Sequence, residues 1–344
     1  MKRFIALLLS IFMILSLCAC GGAPATPTEE ATEPAPTEAA GIPKKDNLKV
    51  LTLGHSLAVD ANHMLALVAA AEGYAGLTVA TLYHSGCSLT QHVDFLTNDK
   101  TEYDLYMSDS SNPAPPTILS DVTMYQALRY DSWDVIVMQA GVFETAYETT
   151  YTDGKIQTIQ EYVNKHKLNK DAVFAWNIIW GLPTDTRLQD MYPYSPNVYT
   201  NGYVYFANSR EIFFNSILDC VKKTIVPDET FVEIIPSGTA IENAHSSYMN
   251  DWDLNRDYAH ANDYGRLIAA YVWYCKLMGI DHLDEMKQTV IPVKWFRSNT
   301  GLQDIQLTEM EINVALEAIN NALKNPLEVT QSQYTEAPEG YVAK

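Results

Sequence analysis

The sequence predicts an α/β protein, a three-layer α/β/α sandwich with a central five-stranded parallel sheet. Three observations predict it. Five short apolar runs recur along the chain, helical patterns separate them, and the roughly 280 residues from Asn47 onward suffice for one sizeable domain. Strands that alternate with helices need right-handed crossovers, and these cover a parallel sheet on both faces. No internal repeat is evident.

The elements follow in order. Met1-Lys2-Arg3 opens with positive charge, and Phe4 to Leu17 form an almost unbroken apolar run. The run is short for a permanent membrane span and suits the core of a secretory signal. It ends in Leu17-Cys18-Ala19-Cys20-Gly21, which resembles the bacterial lipoprotein box. That resemblance implies a signal peptide over 1–19 and lipidation of Cys20, with a plain secretory signal as the alternative. Acyl chains on Cys20 would hold the chain at a membrane surface, so the expected location is extracytoplasmic, lipid-anchored to the bacterial cell membrane. Residues 20–46, rich in Ala, Pro, Thr, Glu and Gly, offer no apolar face and read as a disordered tether. The folded domain is expected over 47–325, with a polar C-terminal tail at 326–344.

Lys49 to Leu53 is a short apolar run ending in Gly54, a buried first strand. A helical pattern runs through Met64, Leu65, Leu67 and Val68 to Gly73. Leu77 to Tyr83 is the second strand and ends in a turn at Ser85-Gly86. Asp134 to Met138, Ala172 to Trp176 and Phe231 to Ile235 are the third, fourth and fifth strands. Helical stretches lie at 155–166, 207–223 and 263–279, and a last one at 308–324 opens with the capping box Thr308-Glu-Met-Glu311.

The formal net charge is −19 and no basic cluster interrupts it, which argues against nucleic acid and against direct adhesion to anionic lipid. Beyond Cys18 and Cys20, only Cys87, Cys220 and Cys275 remain, at most one disulfide, so the fold is not disulfide-stapled. No CxxC or HExxH occurs. Asp251 to Asp257 superficially matches the start of a calcium loop, but Arg256 stands where the turn needs Gly and Asn262 where a bidentate Glu belongs. No metal and no cofactor are expected.

In a parallel sheet the ligand site lies outside the carboxyl ends of the strands, so strand ends form a shortlist. The first ends in Gly54-His55-Ser56, where Ser56 reads equally well as a nucleophile or as the cap of the next helix. The order also approximates the G-x-S-x-G elbow, but that elbow belongs mid-chain, not after a first strand. The second strand ends in Gly86-Cys87, whose glycine amide can approach a substrate closely or simply turn the chain. The third ends in Gln139-Ala-Gly141, whose side-chain amide can donate to an oxyanion or satisfy a loop. Asp257-Tyr-Ala-His260 places a carboxylate three residues before an imidazole. Asp257 can hold one ring nitrogen and leave the other to take a serine proton, or the pair can cap the helix that follows.

Together these residues resemble the SGNH (GDSL-type) hydrolase superfamily, with its serine after the first strand, glycine after the second, asparagine after the third and Asp-x-x-His near the C-terminus. Ser56, Gly86, Gln139 and Asp257/His260 stand in that order over roughly residues 48–280. His55 replaces the usual Asp of the first block and Gln139 the asparagine of the third. Both substitutions resemble an uncharacterised bacterial lipoprotein branch of the superfamily. The resemblance implies the flavodoxin-like SGNH hydrolase fold and a serine esterase. Its catalytic residues would be Ser56, Asp257 and His260, and its oxyanion hole Ser56, Gly86 and Gln139.

The implied substrate is a small acyl ester or an acetylated glycan. His55 and Cys87 are candidate substrate contacts, as are Tyr192 and Tyr194, which open an aromatic-rich insertion that reads equally as a cleft wall or a self-packed loop. A lipid ester is the rival substrate. The alternatives to an enzyme are a surface glycan-binding lipoprotein on the same scaffold and a transport-type solute-binding lipoprotein, which would normally show two lobes.

Overall fold

The computed structural model describes residues 41–142, 144–182, 209–257, 259–295 and 303–342, all within a unit spanning Ala39–Lys344. The chain begins with β1 (Leu48–Gly54), α1 (Ser56–Asn62), α2 (Leu65–Ala71), β2 (Leu77–Tyr83) and α3 (Leu89–Thr97). Next come β3 (Tyr103–Asp109), β4 (Thr117–Val122), α4 (Met124–Tyr130) and β5 (Val135–Met138). α5 (Glu148–Thr152), α6 (Lys155–His166), β6 (Val173–Asn177), α7 (Arg210–Thr224) and β7 (Phe231–Ile235) follow. The remainder comprises α8 (Ser237–His245), α9 (Asp251–Leu254), α10 (Asp263–Met278), the short strands β8 (Val290–Ile291) and β9 (Ile305–Gln306), and α11 (Glu309–Lys324).

The main sheet has seven strands in the order β4-β3-β2-β1-β5-β6-β7. All five expected strands are present and form one parallel block, β2-β1-β5-β6-β7. The expected count of five is corrected by the hairpin β3–β4, which adds antiparallel to the free edge of β2. The reason it was not foreseen is physical. β1 and β5 are buried almost throughout and read as apolar runs, whereas β4 exposes five of its six residues. An edge strand facing water has no apolar run to betray it.

Crossover direction sorts the helices. The connection from β1 to β2 steps one way along the sheet, and those from β2 to β5, β5 to β6 and β6 to β7 step the other way. Right-handed crossovers therefore put α1 and α2 on one face and α3 to α7 on the opposite one. After β7 the chain returns across the first face, where α10 packs on α1, α2, α8 and α11. α10 is buried at every position except Lys276 and Met278, as befits a helix enclosed by sheet and helices. Asn262 caps its start and Gly279, at φ +66°, ends it. The capping box Thr308/Glu311 is formed as expected.

Leu327, Val329 and Tyr334, beyond α11, pack against the core. Cys87, Cys220 and Cys275 are buried and free.

Candidate active site

At the end of β1 the chain turns at His55 and enters α1 at Ser56. The cap of α1 is His55, whose Nδ1 accepts the Leu57 N–H at 3.3 Å. Ser56 is thereby relieved of the capping role left open by the sequence, and its hydroxyl lies 2.7 Å from His260 Nε2. The opposite nitrogen of His260, Nδ1, lies 2.8 and 2.9 Å from the two oxygens of Asp257.

Asp257 does not cap α10, since Asn262 does. Instead it folds its own turn, accepting the N–H of Ala259 at 3.0 Å and of His260 at 2.9 Å. Burial alone would raise its pKa. The bonds from the His260 ring and from the two backbone N–H groups outweigh burial and hold the carboxyl at about 2. An anionic Asp257 places the ring proton of His260 on Nδ1, so Nε2 is the acceptor facing the Ser56 hydroxyl.

Register brings the other expected residues to the same edge. Gly54 pairs with Tyr83 and Leu53 with Met138, so Ser56, Gly86 and Gln139 all lie just past the carboxyl ends of adjacent strands. Gly86 is exposed at φ +61°, a backbone state that favours glycine. A Cβ at Gly54 would sit 2.7 Å from Ala58 Cβ and 3.2 Å from Gln139 Nε2, so the glycine lets α1 and the Gln139 amide close over the strand end.

The orientation of Gln139 follows from a buried polar chain. Trp273 Nε1–H can only donate, and it donates to Ser237 Oγ at 3.0 Å. The Ser237 hydroxyl donates to Asn177 Oδ1 at 2.7 Å, and Asn177 Nδ2 donates to Gln139 Oε1 at 2.9 Å. The Gln139 NH2 group therefore faces His55 and Gly54. His55 is completely buried and burial pushes its imidazole down to about 4, so it is neutral. Its Nδ1 accepts from Leu57, so Nε2 carries the proton and donates to Ala140 O at 3.0 Å. Gln139 Nε2 is also 3.0 Å from that nitrogen. With the ring proton committed to Ala140, the amide protons of Gln139 remain for another acceptor.

The expected substrate contacts divide differently. His55 and Cys87 are buried, at 0% and 1% exposure, and both ring nitrogens of His55 are engaged, one by the Leu57 N–H and the other by the Ala140 carbonyl. Tyr192 and Tyr194 lie outside the described residues, as does Cys20. Asn177, Ser237 and Trp273 were not foreseen, and neither was Glu144. Its Oε1 accepts the N–H of Leu89 at 2.6 Å and of Gly141 at 3.1 Å, tying the loop after β2 to the loop after β5. Asn177 ends the fourth strand and was within reach of the strand-end rule. The others come from helices and loops with no local signal.

Residues 49–294 match a family described as Domain of unknown function (DUF4886). Among solved structures, a DUF4886 family protein from Bacteroides uniformis is 24% identical, with a TM-score of 0.68, covering 84% of this chain and 100% of that one. A protein from Slackia heliotrinireducens assigned to the SGNH hydrolases is 16% identical over 67% of this chain and 99% of its own, with a TM-score of 0.43. A lipase from a goat rumen metagenome is 8% identical over 67% and 97%, at 0.40. The last two superpositions are too loose to bear on function. No curated protein matches the chain.

Proposed function

The chain belongs to the DUF4886 family, and within that family of unstated function we propose that it is a serine ester hydrolase. One observation carries the proposal: the unbroken contact from Ser56 Oγ through the His260 ring to Asp257, at 2.7 and 2.8 Å, on the carboxyl edge of the sheet.

The chemistry follows from the atoms. Ser56 passes its proton to His260 Nε2 as Oγ attacks the ester carbonyl, and Asp257 stabilises the imidazolium that forms. The developing oxyanion takes hydrogen bonds from the backbone N–H groups of Ser56 and Gly86 and from Gln139 Nε2. Collapse breaks the ester C–O bond, and His260 returns the proton to the leaving alcohol. Water then attacks the acyl-Ser56 carbonyl, giving its proton to His260, and the acid is released with Ser56 restored.

For the substrate, the reading is a small acyl group, acetyl above all, carried on a glycan. The aromatic-rich composition around Tyr192 and Tyr194 supports a sugar substrate. A chain held to the outer face of a bacterial membrane through Cys20 would meet such polymers.

The test is p-nitrophenyl acetate hydrolysis by the full chain, beside Ser56→Ala and His260→Ala. Turnover in the parent and its loss in both variants is the expected result, followed by release of acetate from acetylated glycans. Parent-level activity in Ser56→Ala would sink the assignment. No turnover of any ester by the parent would favour a glycan-binding role.

A further inference from the structure

We infer that Asp60 is a positioning residue that locks the turn carrying Asp257 and His260 onto the helix carrying Ser56. The inference rests on the esterase reading of that site.

The observation is one buried carboxylate shared between three segments. Asp60 lies on α1 one helical turn beyond Ser56, and its side chain is 1% exposed. Its Oδ1 accepts from Arg256 Nη1 at 2.9 Å and from Arg266 Nε at 2.8 Å, with Arg266 Nη2 also 2.8 Å away. Its Oδ2 accepts from Arg256 Nη1 at 3.0 Å and from the Ala261 N–H at 3.1 Å. Arg256 immediately precedes Asp257, and Ala261 immediately follows His260. A single carboxylate therefore grips both ends of the turn that bears the acid and the base.

The turn is already closed on itself. Arg256 N–H donates to His260 O at 3.0 Å and Asn262 N–H to Leu254 O at 2.8 Å. Arg256 also donates to the Ala261 carbonyl, and Asp257 holds the Ala259 and His260 N–H groups from inside. These contacts set the turn's own backbone, and what remains to be determined is its placement against α1. Arg266 adds a third anchor: it lies in the first turns of α10 and is braced by Asp263 at 3.1 Å.

The charges around the carboxylate match this role. Two guanidiniums face Asp60, with Asp263 on Arg266 and Asp257 at 3.9 Å from Arg256 Nε. A carboxylate this deeply buried persists only when cations and N–H groups satisfy it. Apolar packing would seat a turn on a helix but would not set its direction. Five directional contacts to one carboxylate do, and the 2.7 Å gap between Ser56 and His260 needs that direction. Misplacement of reacting groups by about 1 Å costs on the order of 100-fold in rate.

The test compares the full chain with Asp60→Asn and with Arg256→Gln, whose side chain is partly exposed and safer to change. kcat and KM are measured separately on p-nitrophenyl acetate, on protein shown to be folded by circular dichroism. Crystal structures give the Ser56–His260 distance in each variant. The expected result is a contact opened beyond hydrogen-bonding reach, kcat lowered about 100-fold in Asp60→Asn and less in Arg256→Gln, and KM nearly unchanged. An intact contact in a folded variant, or an unchanged kcat where the parent is active, overturns the inference. Arg256→Gln decides alone if Asp60→Asn does not fold. A parent that turns over no ester overturns the esterase reading instead, and the distances still decide whether Asp60 places the turn.

Discussion

Gln139 stands where a shorter amide is usual in the SGNH pattern, and the extra methylene would let its amide wander. The chain from Trp273 through Ser237 and Asn177 removes that freedom by fixing which end of the amide is the acceptor. Gln139→Ala is accordingly expected to lower kcat for p-nitrophenyl acetate about 100- to 1,000-fold with KM little changed, as for loss of one oxyanion donor. A fall in KM-controlled binding with kcat intact would instead mark Gln139 as a substrate contact. Ser56, Asp257 and His260 were legible at this scale because each belongs to a short local pattern. Ser237 and Trp273 were not, because their meaning lies in contacts made across 60 and 36 positions of sequence.

Among the elements, legibility followed burial. α6 and α11 were found nearly to the residue because each carries one apolar face at helical spacing, and α11 also carries its start signal. Thr308 accepts the Glu311 N–H while the Glu311 side chain accepts the Thr308 N–H. Thr308→Ala should cost about 1 kcal/mol in urea denaturation. kcat should stay at the parent value, since α11 packs behind α8 and α10. The hairpin β3–β4 and the short α4, α5 and α8 escaped notice. They depend on tertiary contacts more than on any periodicity of their own, and α8 is buried at all nine positions, which erases the contrast between faces.

The molecule as a whole keeps several histidines neutral inside it. Burial pushes His55 down to about 4 and His92 to about 3, and lowers His245 well below its usual value. In the unfolded chain each would take up a proton near pH 6.5. Between that pH and about 4 the unfolded state binds more protons than the folded one, so stability is full at neutral pH and falls as pH drops through this window. The urea midpoint should therefore fall steadily from pH 7 to pH 4.5. His92→Phe, although less stable at pH 7 through loss of the Tyr103 contact, should show a shallower fall. An equal slope in both would place the pH sensitivity elsewhere.

By itself the sequence determined the alternation of strands and helices, the five parallel strands, and the serine, aspartate and histidine that meet at the site. Apolar periodicity, strand-end glycines and a three-residue Asp–His spacing are local properties that survive without a fold. Only the tertiary structure decided that His55 and not Ser56 caps the first helix, that the sheet continues for two more strands, and that Asp60, Arg256 and Arg266 join across some 200 positions of chain. The reason is that a buried charge or amide is defined by the partners that satisfy it. Those partners are brought together by packing, which no single stretch of sequence contains.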